Sequence, residues 1–436
     1  AVLADPFGLR ALGRATRYFS TAESNAGLPA IGGYMLANRL LWSVVGLALL
    51  GLTLALFKPQ RAGTGKRLFG KAKAAAPVAG TPAHVALPRI APRFTRATRW
   101  TQCWHIFVFD AAAVFKSVPF LVMLLFGVLN MVGSSSQLHQ MFGTDVYPRT
   151  YLMIELLKGS YNFLLLIIVI FYAGELIFKE RQAGIADVSD AMPMPNWAPL
   201  VAKSLALVGV VLAFLFAGIL TAIAIQLYKG GAPIEPMVYL QGVFMAGTPY
   251  ILMALIAVAL QVVTNNKFLG YLFMIVLIVG QIVLSVLHFD HNLYNIALLP
   301  ETPYSDMNGF GHFVTGWSWF ALYWTLFAVA GLIVAQAFWV RGLSVEWRTR
   351  TREATRRLKS PSGAALAACT IAFALVGGWI FHNTVTLGRY EAQNVAMDKQ
   401  ARYEKTYRKY KDLPHVKIVD VRAAVDIYPA ERRVMV

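Results

Sequence analysis

Eight stretches of this chain are apolar over lengths near the roughly 20 helical residues that cross a bilayer. They are residues 33–57, 118–134, 151–177, 201–227, 237–263, 268–287, 317–340 and 364–381, separated by short polar or basic segments. The runs are continuous rather than alternating, which predicts helices and excludes barrel strands, since only these two structures satisfy their own backbone hydrogen bonds in lipid. The expected fold class is an all-α polytopic membrane protein of about eight transmembrane helices, with a short β-hairpin-like exported tail.

Composition strengthens this reading. Charged residues make up only 14% of the chain and mean hydropathy is +0.54, so water is not its main solvent and the lipid bilayer is an expected partner. The formal net charge of +18 would suit a nucleic-acid binder if it were gathered on one polar surface. The basic residues instead flank the spans, and no nucleic-acid partner is expected. By the positive-inside rule, the basic segments 58–99 and 341–363 face the cytoplasm, as do Lys179, Arg181 and Lys203. Segments 135–148 and 288–316, and the tail from residue 382 on, are then periplasmic or extracellular. Cys103 and Cys369 lie far apart and read as packing residues.

Six regions are expected: 1–57, an outer loop and last span of a first membrane half; 58–99, a basic Pro/Ala/Gly-rich linker; 100–340, a second half of six spans opened by an interfacial amphipathic helix carrying Trp104, Phe107, Phe109 and Phe115; 341–363, a basic segment; 364–381, an additional span; and 382–436, an exported linker and tail. The segment before Trp42 and that before Trp317 share a plan, a long external stretch entering a span that exits into basic residues, which suggests a duplicated half and a chain that is a fragment of a larger protein.

Few side chains invite chemistry. Glu155 and Lys158, three apart in the third span, lie on one helix face and neutralise each other, either along a substrate path or as an interfacial pair with the lysine snorkelling outward. His288, Asp290, His291 and His312 lack the further ligands a metal needs and read as solvated loop residues. Gly209, Gly218, Gly377 and Gly378 read as points of close helix packing, and Glu235 as an ordinary outer-loop residue. Gly63 to Arg67 has the glycines and lysine of a phosphate loop, but lacks the first glycine at the required spacing and the hydroxyl residue after the lysine.

The segment after the third span is more telling. It runs from Glu175 through Glu180, Arg181, Asp187 and Asp190 to Pro193, Pro195 and Trp197, a charged helix end followed by a short helix and a proline turn. These residues resemble the coupling loop of ABC-2 type exporter permeases, and order and topology match that family over about residues 100–340. The resemblance implies contact with a separate ABC ATPase subunit that carries ATP and Mg, and no catalytic residue here. The tail, Tyr403 to Pro414 followed by Lys417 to Val434, mixes β-branched and polar residues and resembles the entry to the N-terminal β-domain of an M1-family aminopeptidase fused to such a permease. That implies zinc only in a further peptidase domain, because the His-Glu-x-x-His helix does not occur in these residues. The expected function is therefore the permease component of an ATP-driven exporter in a bacterial inner membrane, with other partners being the rest of its own polypeptide. A membrane-anchored zinc aminopeptidase is the alternative, and a secondary transporter is disfavoured by the shortage of paired intramembrane charges.

Overall fold

The structure is a computed structural model that describes residues 3, 5, 8–20, 22–23, 27, 32–56, 95–135, 147–230, 233–342, 346–413, 418–429 and 433–435. The phosphate-loop-like segment at 63–67, most of the 58–99 linker and most of the 135–148 loop lie outside the described residues. The chain divides into two units, residues 1–90 and 91–436. Eight described helices are long and apolar enough to cross a membrane, and the architecture fits an all-α polytopic membrane protein.

In the first unit, a short helix α1 (Leu9–Ala15) precedes the long apolar α2 (Gly33–Leu56). The polar residues at the start of α2 face the preceding segment: Asn38 Nδ2 donates to the Asp5 carbonyl at 2.8 Å and Trp42 Nε1 to that of Leu3 at 3.0 Å.

The second unit opens with α3 (Arg96–Phe115), capped by Thr95, whose hydroxyl accepts from the Thr98 amide. Its expected start at residue 100 is too late by about one turn, since the cap lies upstream of the aromatic run. There follow α4 (Val118–Ser135), α5 (Thr150–Gln182), the short α6 (Ala186–Ala191), α7 (Trp197–Tyr228), α8 (Pro236–Thr264), α9 (Lys267–Val286), α10 (Phe313–Phe338), α11 (Trp347–Leu358) and α12 (Pro361–Phe381). A π-helical turn at His382–Leu387 extends α12, and α13 (Gln393–Tyr407) follows. Local sequence sets several boundaries. Pro236 and Pro361 occupy first turns, where their missing N–H costs nothing. Asn265, left-handed at φ 51°, ends α8, and the Asn266 side chain accepts from the Phe268 and Leu269 amides to start α9.

Span α5 runs past its apolar window because its charged end, Lys179 to Arg181, is helical too, and α7 starts about one turn before its window, at Trp197. Together with α8 they form the most buried part of the unit, centred on Met153, Leu157, Tyr161, Leu207, Phe214 and Tyr239. Small residues permit this. A Cβ on Gly218 would lie 2.9 Å from Leu157 Cδ1, and one on Gly377 would lie 2.9 Å from the Tyr323 ring, whereas Gly378 faces open space and Gly209 makes only ordinary contact with Phe107. The expectation of tight packing therefore holds at two of those four glycines. Interhelical hydrogen bonds add register, among them Asn130 Nδ2 to the Ser160 carbonyl and Tyr239 OH to Gln226 Oε1.

The 288–312 segment is packed rather than simply solvated, with His291, Asn295, Ala297 and Phe310 buried. His291 Nδ1 accepts from the Leu293 amide at 3.1 Å, which leaves Nε2 to carry the proton towards Thr384 Oγ1 at 3.0 Å, and Tyr390 stands edge-on to the ring at 4.7 Å. It is thus a clip between this segment and the end of α12, not a loop residue facing water. In the tail, β1 (Asp426–Tyr428) pairs antiparallel with β2 (Arg433–Met435), so the hairpin is real but shorter than the 418–427 strand expected. The turn residues Ala430 to Arg432 lie outside the described residues.

Two outcomes are expected. Replacing Gly218 with Leu forces side chains into the α5–α7 contact and lowers stability by about 1–3 kcal/mol, whereas Gly280→Leu, at a position with nothing near its Cβ, leaves the melting temperature in detergent unchanged. Burial holds His291 below its usual value of about 6.5. The clip is therefore intact above that pH and weakens as pH falls towards the lowered value, because a protonated Nδ1 no longer accepts from Leu293. Amide exchange at Leu293 should rise on acidification in the wild type and be high and pH-independent, after correction for intrinsic exchange, in His291→Phe.

Candidate functional site

The helix end that carries the coupling-loop residues holds a cluster of buried charge. Helix α3 is amphipathic, and its inner face presents Cys103, Asp110, Ala111 and Val114 at helical spacing. Cys103 packs on Ala198 and Ala202 of α7, and burial pushes its thiol up, as expected of a packing residue and not of a nucleophile. Seven residues further on, the same face brings in Asp110, whose side chain is 1% exposed.

A buried carboxylate requires partners. Lys179 of α5 bonds Asp110 Oδ1 at 2.7 Å, and Lys203 of α7 approaches Oδ2 at 3.3 Å. Lys203, itself buried, also donates to Glu180 Oε1 at 2.7 Å and to the Leu176 carbonyl at 2.6 Å. Lys179 additionally lies 4.1 Å over the Phe109 ring. Two acids and two lysines from three helices thus close a neutral set. Asp110 sits on the interior face of a helix whose polar residues were expected to face the interface; the buried Lys203 of α7 and the part-buried Lys179 of α5 draw it there.

The other candidate residues are anchored around this set. Glu175 bonds Lys267 at the start of α9 at 2.6 Å, and the Gln182 amide, with its oxygen towards Lys267 Nζ at 2.7 Å and its nitrogen towards Glu175 Oε2 at 3.3 Å, completes that contact. Arg181 donates to Asn265 Oδ1 at 2.6 Å in the α8–α9 turn. Asp190, in α6, accepts from the Gly342 amide at 2.8 Å, and Arg341 donates to the Met194 carbonyl. Pro193 and Pro195 fall directly after α6 and stop it, and Trp197 opens α7 with its ring 5.0 Å from that of Trp100. Of the charged candidates in this loop, Asp187 is the one exposed on α6 without a bond to another element among the described residues. A cavity of about 280 Å³ lies between these parts, lined in part by Glu180, Lys203, Asp190, Met194, Asn265 and Arg341.

The basic segment after α10 has a structural task that residue counting did not reveal. Arg350 is buried and donates to the Val262 and Phe338 carbonyls at 3.1 and 3.3 Å, while Arg357 donates to those of Ala337 and Trp339 at 3.0 and 2.7 Å. These carbonyls close the C-terminal ends of α8 and α10, where backbone acceptors lack intrahelical partners and the helix dipole favours cations. Burial, and secondarily nearby Arg181, lowers the Arg350 pKa. The spacing Arg350–Arg357 places both on one side of α11, the one signal in the sequence for this role.

Glu155 and Lys158 do not join this site. They lie near the other end of α5 and bond each other at 2.6 Å.

Removing Asp110 takes the carboxylate from the part-exposed Lys179 and leaves the buried Lys203 on Glu180 and the Leu176 carbonyl alone, with a surplus of one cation. Asp110→Ala should destabilise the protein by about 3–5 kcal/mol, and the double change Asp110→Ala/Lys203→Met should recover part of that loss, read as melting temperature by fluorescence-detected size exclusion. No protein-family model, curated protein or solved structure matches this chain, so the geometry above is what carries a functional reading.

Proposed function

We propose that this chain is the membrane-spanning permease component of an ATP-driven exporter of the ABC-2 type. In this reading the α6 end faces the cytoplasm of a bacterial inner membrane and docks on a separate ABC ATPase subunit. The supporting observation is the contrast between the two sides of α6. Its Asp190 and the flanking Glu180, Arg181 and Met194 are tied to α7, to the α8–α9 turn and to the segment after α10. Ile185, Val188 and Met192, at 52, 66 and 47% exposure, are open to the surroundings, although Met192 also borders the cavity. Exposed apolar side chains on and at both caps of a short polar helix, at the charged end of the spans, fit a protein partner better than water.

The mechanical consequence is simple. A partner pressing on Val188 presses on a segment continuous with α5 and α7, whose adjoining ends are locked to each other by the Lys203–Glu180 ion pair, and tied through Asp190 and the Met194 carbonyl to the segment after α10, so its displacement passes to the spans instead of being absorbed by a soft loop. Glu180 and Arg181 serve this reading as anchors, because their charges are already engaged within the chain; Asp187 and the apolar trio supply the contact. A second reading, a membrane-anchored M1-type zinc aminopeptidase, draws support from the tail. Ile418, Val419, Val421 and Ile427 are exposed and the two-stranded hairpin has no apolar cover among the described residues, as suits a strand pair that belongs against further β-structure.

Co-purification separates the two. The wild-type chain in nanodiscs should retain an ATPase subunit, and Val188→Arg should lose it while the melting temperature stays within about 0.5 kcal/mol equivalent, as for an exposed substitution. Purification without an ATPase, or equal retention by the variant, would sink the docking assignment.

A further inference from the structure

The large cavity at the other end of α5, about 590 Å³ between α5, α8, the start of α10 and the 299–310 segment, has an aromatic wall of Tyr151, Tyr304 and Phe310. Its Glu155 carboxylate is paired with Lys158 and 61% exposed, so it offers a ligand no buried charge. A smaller crevice, of about 240 Å³, lies where α10 ends and α11 begins, and it differs in this respect.

Arg341, Arg350 and Arg357 line it against the single carboxylate of Glu353, a surplus of two cations. Arg357 Nε lies 3.4 Å from Glu353 Oε1, which occupies that carboxylate. Arg341 and Arg350, the latter 7% exposed, have no carboxylate partner among the described residues. A guanidinium carries five N–H donors. Arg350 spends Nη2 on the Val262 and Phe338 carbonyls and Arg341 spends Nη2 on that of Met194, which leaves Nη1 of both without an acceptor among the described residues. The carbonyl ends of α8 and α10 supply about half a unit of negative charge each, less than the surplus. Arg181 adds to the positive field at Arg350.

The crevice also lies at the ends of the spans. Arg350 and Arg357 stand about 10 Å apart along α11, yet both reach carbonyls there, Val262 and Phe338 from one and Ala337 and Trp339 from the other. Helix α11 is thus laid across the span ends instead of standing off them. Trp347 stacks on Phe338 at 5.6 Å and keeps 56% of its surface open, as suits an indole at headgroup level.

We propose that this crevice binds the phosphate of an anionic phospholipid from the leaflet at the charged end of the spans. The phosphate oxygens take the free N–H groups of Arg341 and Arg350, planar forks that match a phosphate bidentately. The lipid's net negative charge offsets part of the surplus, and its apolar part stays in the bilayer beside Phe338 and Trp347. Basic pockets between spans take anionic headgroups in this way. A zwitterionic lipid brings no net charge, and a soluble phosphate brings nothing for the aromatic rim. The assignment is independent of the exporter reading, because it needs neither an ATPase nor transport.

The test uses the full chain, delipidated in detergent, and native mass spectrometry with dioleoylphosphatidylglycerol or dioleoylphosphatidylcholine. One phosphatidylglycerol per chain should bind saturably, about tenfold or more tighter than phosphatidylcholine. Thr349→Glu places a carboxylate at an exposed crevice position in the first turn of α11, where the helix dipole accepts an acid. It should weaken phosphatidylglycerol about tenfold with no fall in melting temperature. Arg348, Arg352 and Arg356 recur on the opposite, exposed side of α11 and attract any anionic surface. Changing all three to Gln should leave the affinity within about threefold. Equal affinity for the two lipids, or wild-type affinity in Thr349→Glu, would overturn the assignment. So would loss of the lipid in the triple variant, which would mean attraction to general surface charge, or its displacement by inorganic phosphate at equal concentration, which would mean a soluble anion.

Discussion

The packing of α3, α5 and α7 at the charged end depends on the neutrality of one set of four side chains built around the buried Asp110 and Lys203. Asp110, Lys179, Lys203 and Glu180 come from α3, α5 and α7, and each is adequate only in the presence of the others. Lys203 is the keystone, since it meets both carboxylates and the Leu176 carbonyl. Such a set contributes little net stability compared with an apolar core, because its desolvation cost is large. What it does impose is geometry: α3 has one rotation that delivers Asp110 inward, and α5 and α7 one relative height that brings Lys179, Glu180 and Lys203 to it. The α6 segment hangs between the last two helices, so its position is inherited from this pairing.

The spans were legible in the sequence because the bilayer's thickness imposes a length and a hydropathy that no other element imitates, from 33–57 to 364–381. So were the end of α6 at Pro193 and the Glu155–Lys158 pair, both decided by neighbours in sequence. The ion cluster was not, because Asp110 and Lys203 are 93 residues apart and nothing local distinguishes a buried acid on an amphipathic helix from a solvated one. Arg350 and Arg357 were hidden for a related reason. The positive-inside rule counts arginines without asking what they touch, and here two of them close the carbonyl ends of α8 and α10. The aromatic cavity was invisible too, since Tyr151, Tyr304 and Trp317 are brought together only by the folding of the 288–312 segment over α5 and α8.

The two ends of the second unit are joined by elements of different character. Helix α5 carries Glu155 and Lys158 near one end and Glu175, Lys179 and Glu180 near the other, and it runs through 33 residues without a proline. It is a strut. Helix α8 also reaches both places, lining the aromatic cavity with Gly242 and Pro249 and presenting the Val262 carbonyl to Arg350 at its far end. Pro249 gives it a different mechanical nature, because the missing N–H cannot hold the Met245 carbonyl and the ring crowds that turn. Bending resistance in a helix comes from its hydrogen-bond ladder, so α8 is softest at the level of the cavity. On the exporter reading, displacement that enters through α6 and α5 meets least opposition at Pro249, where it changes the distance between the Glu155 carboxylate and the Trp317 indole. A rigid helix and an interrupted one side by side thus give a physical route by which a partner at one end could alter the size of a cavity at the other.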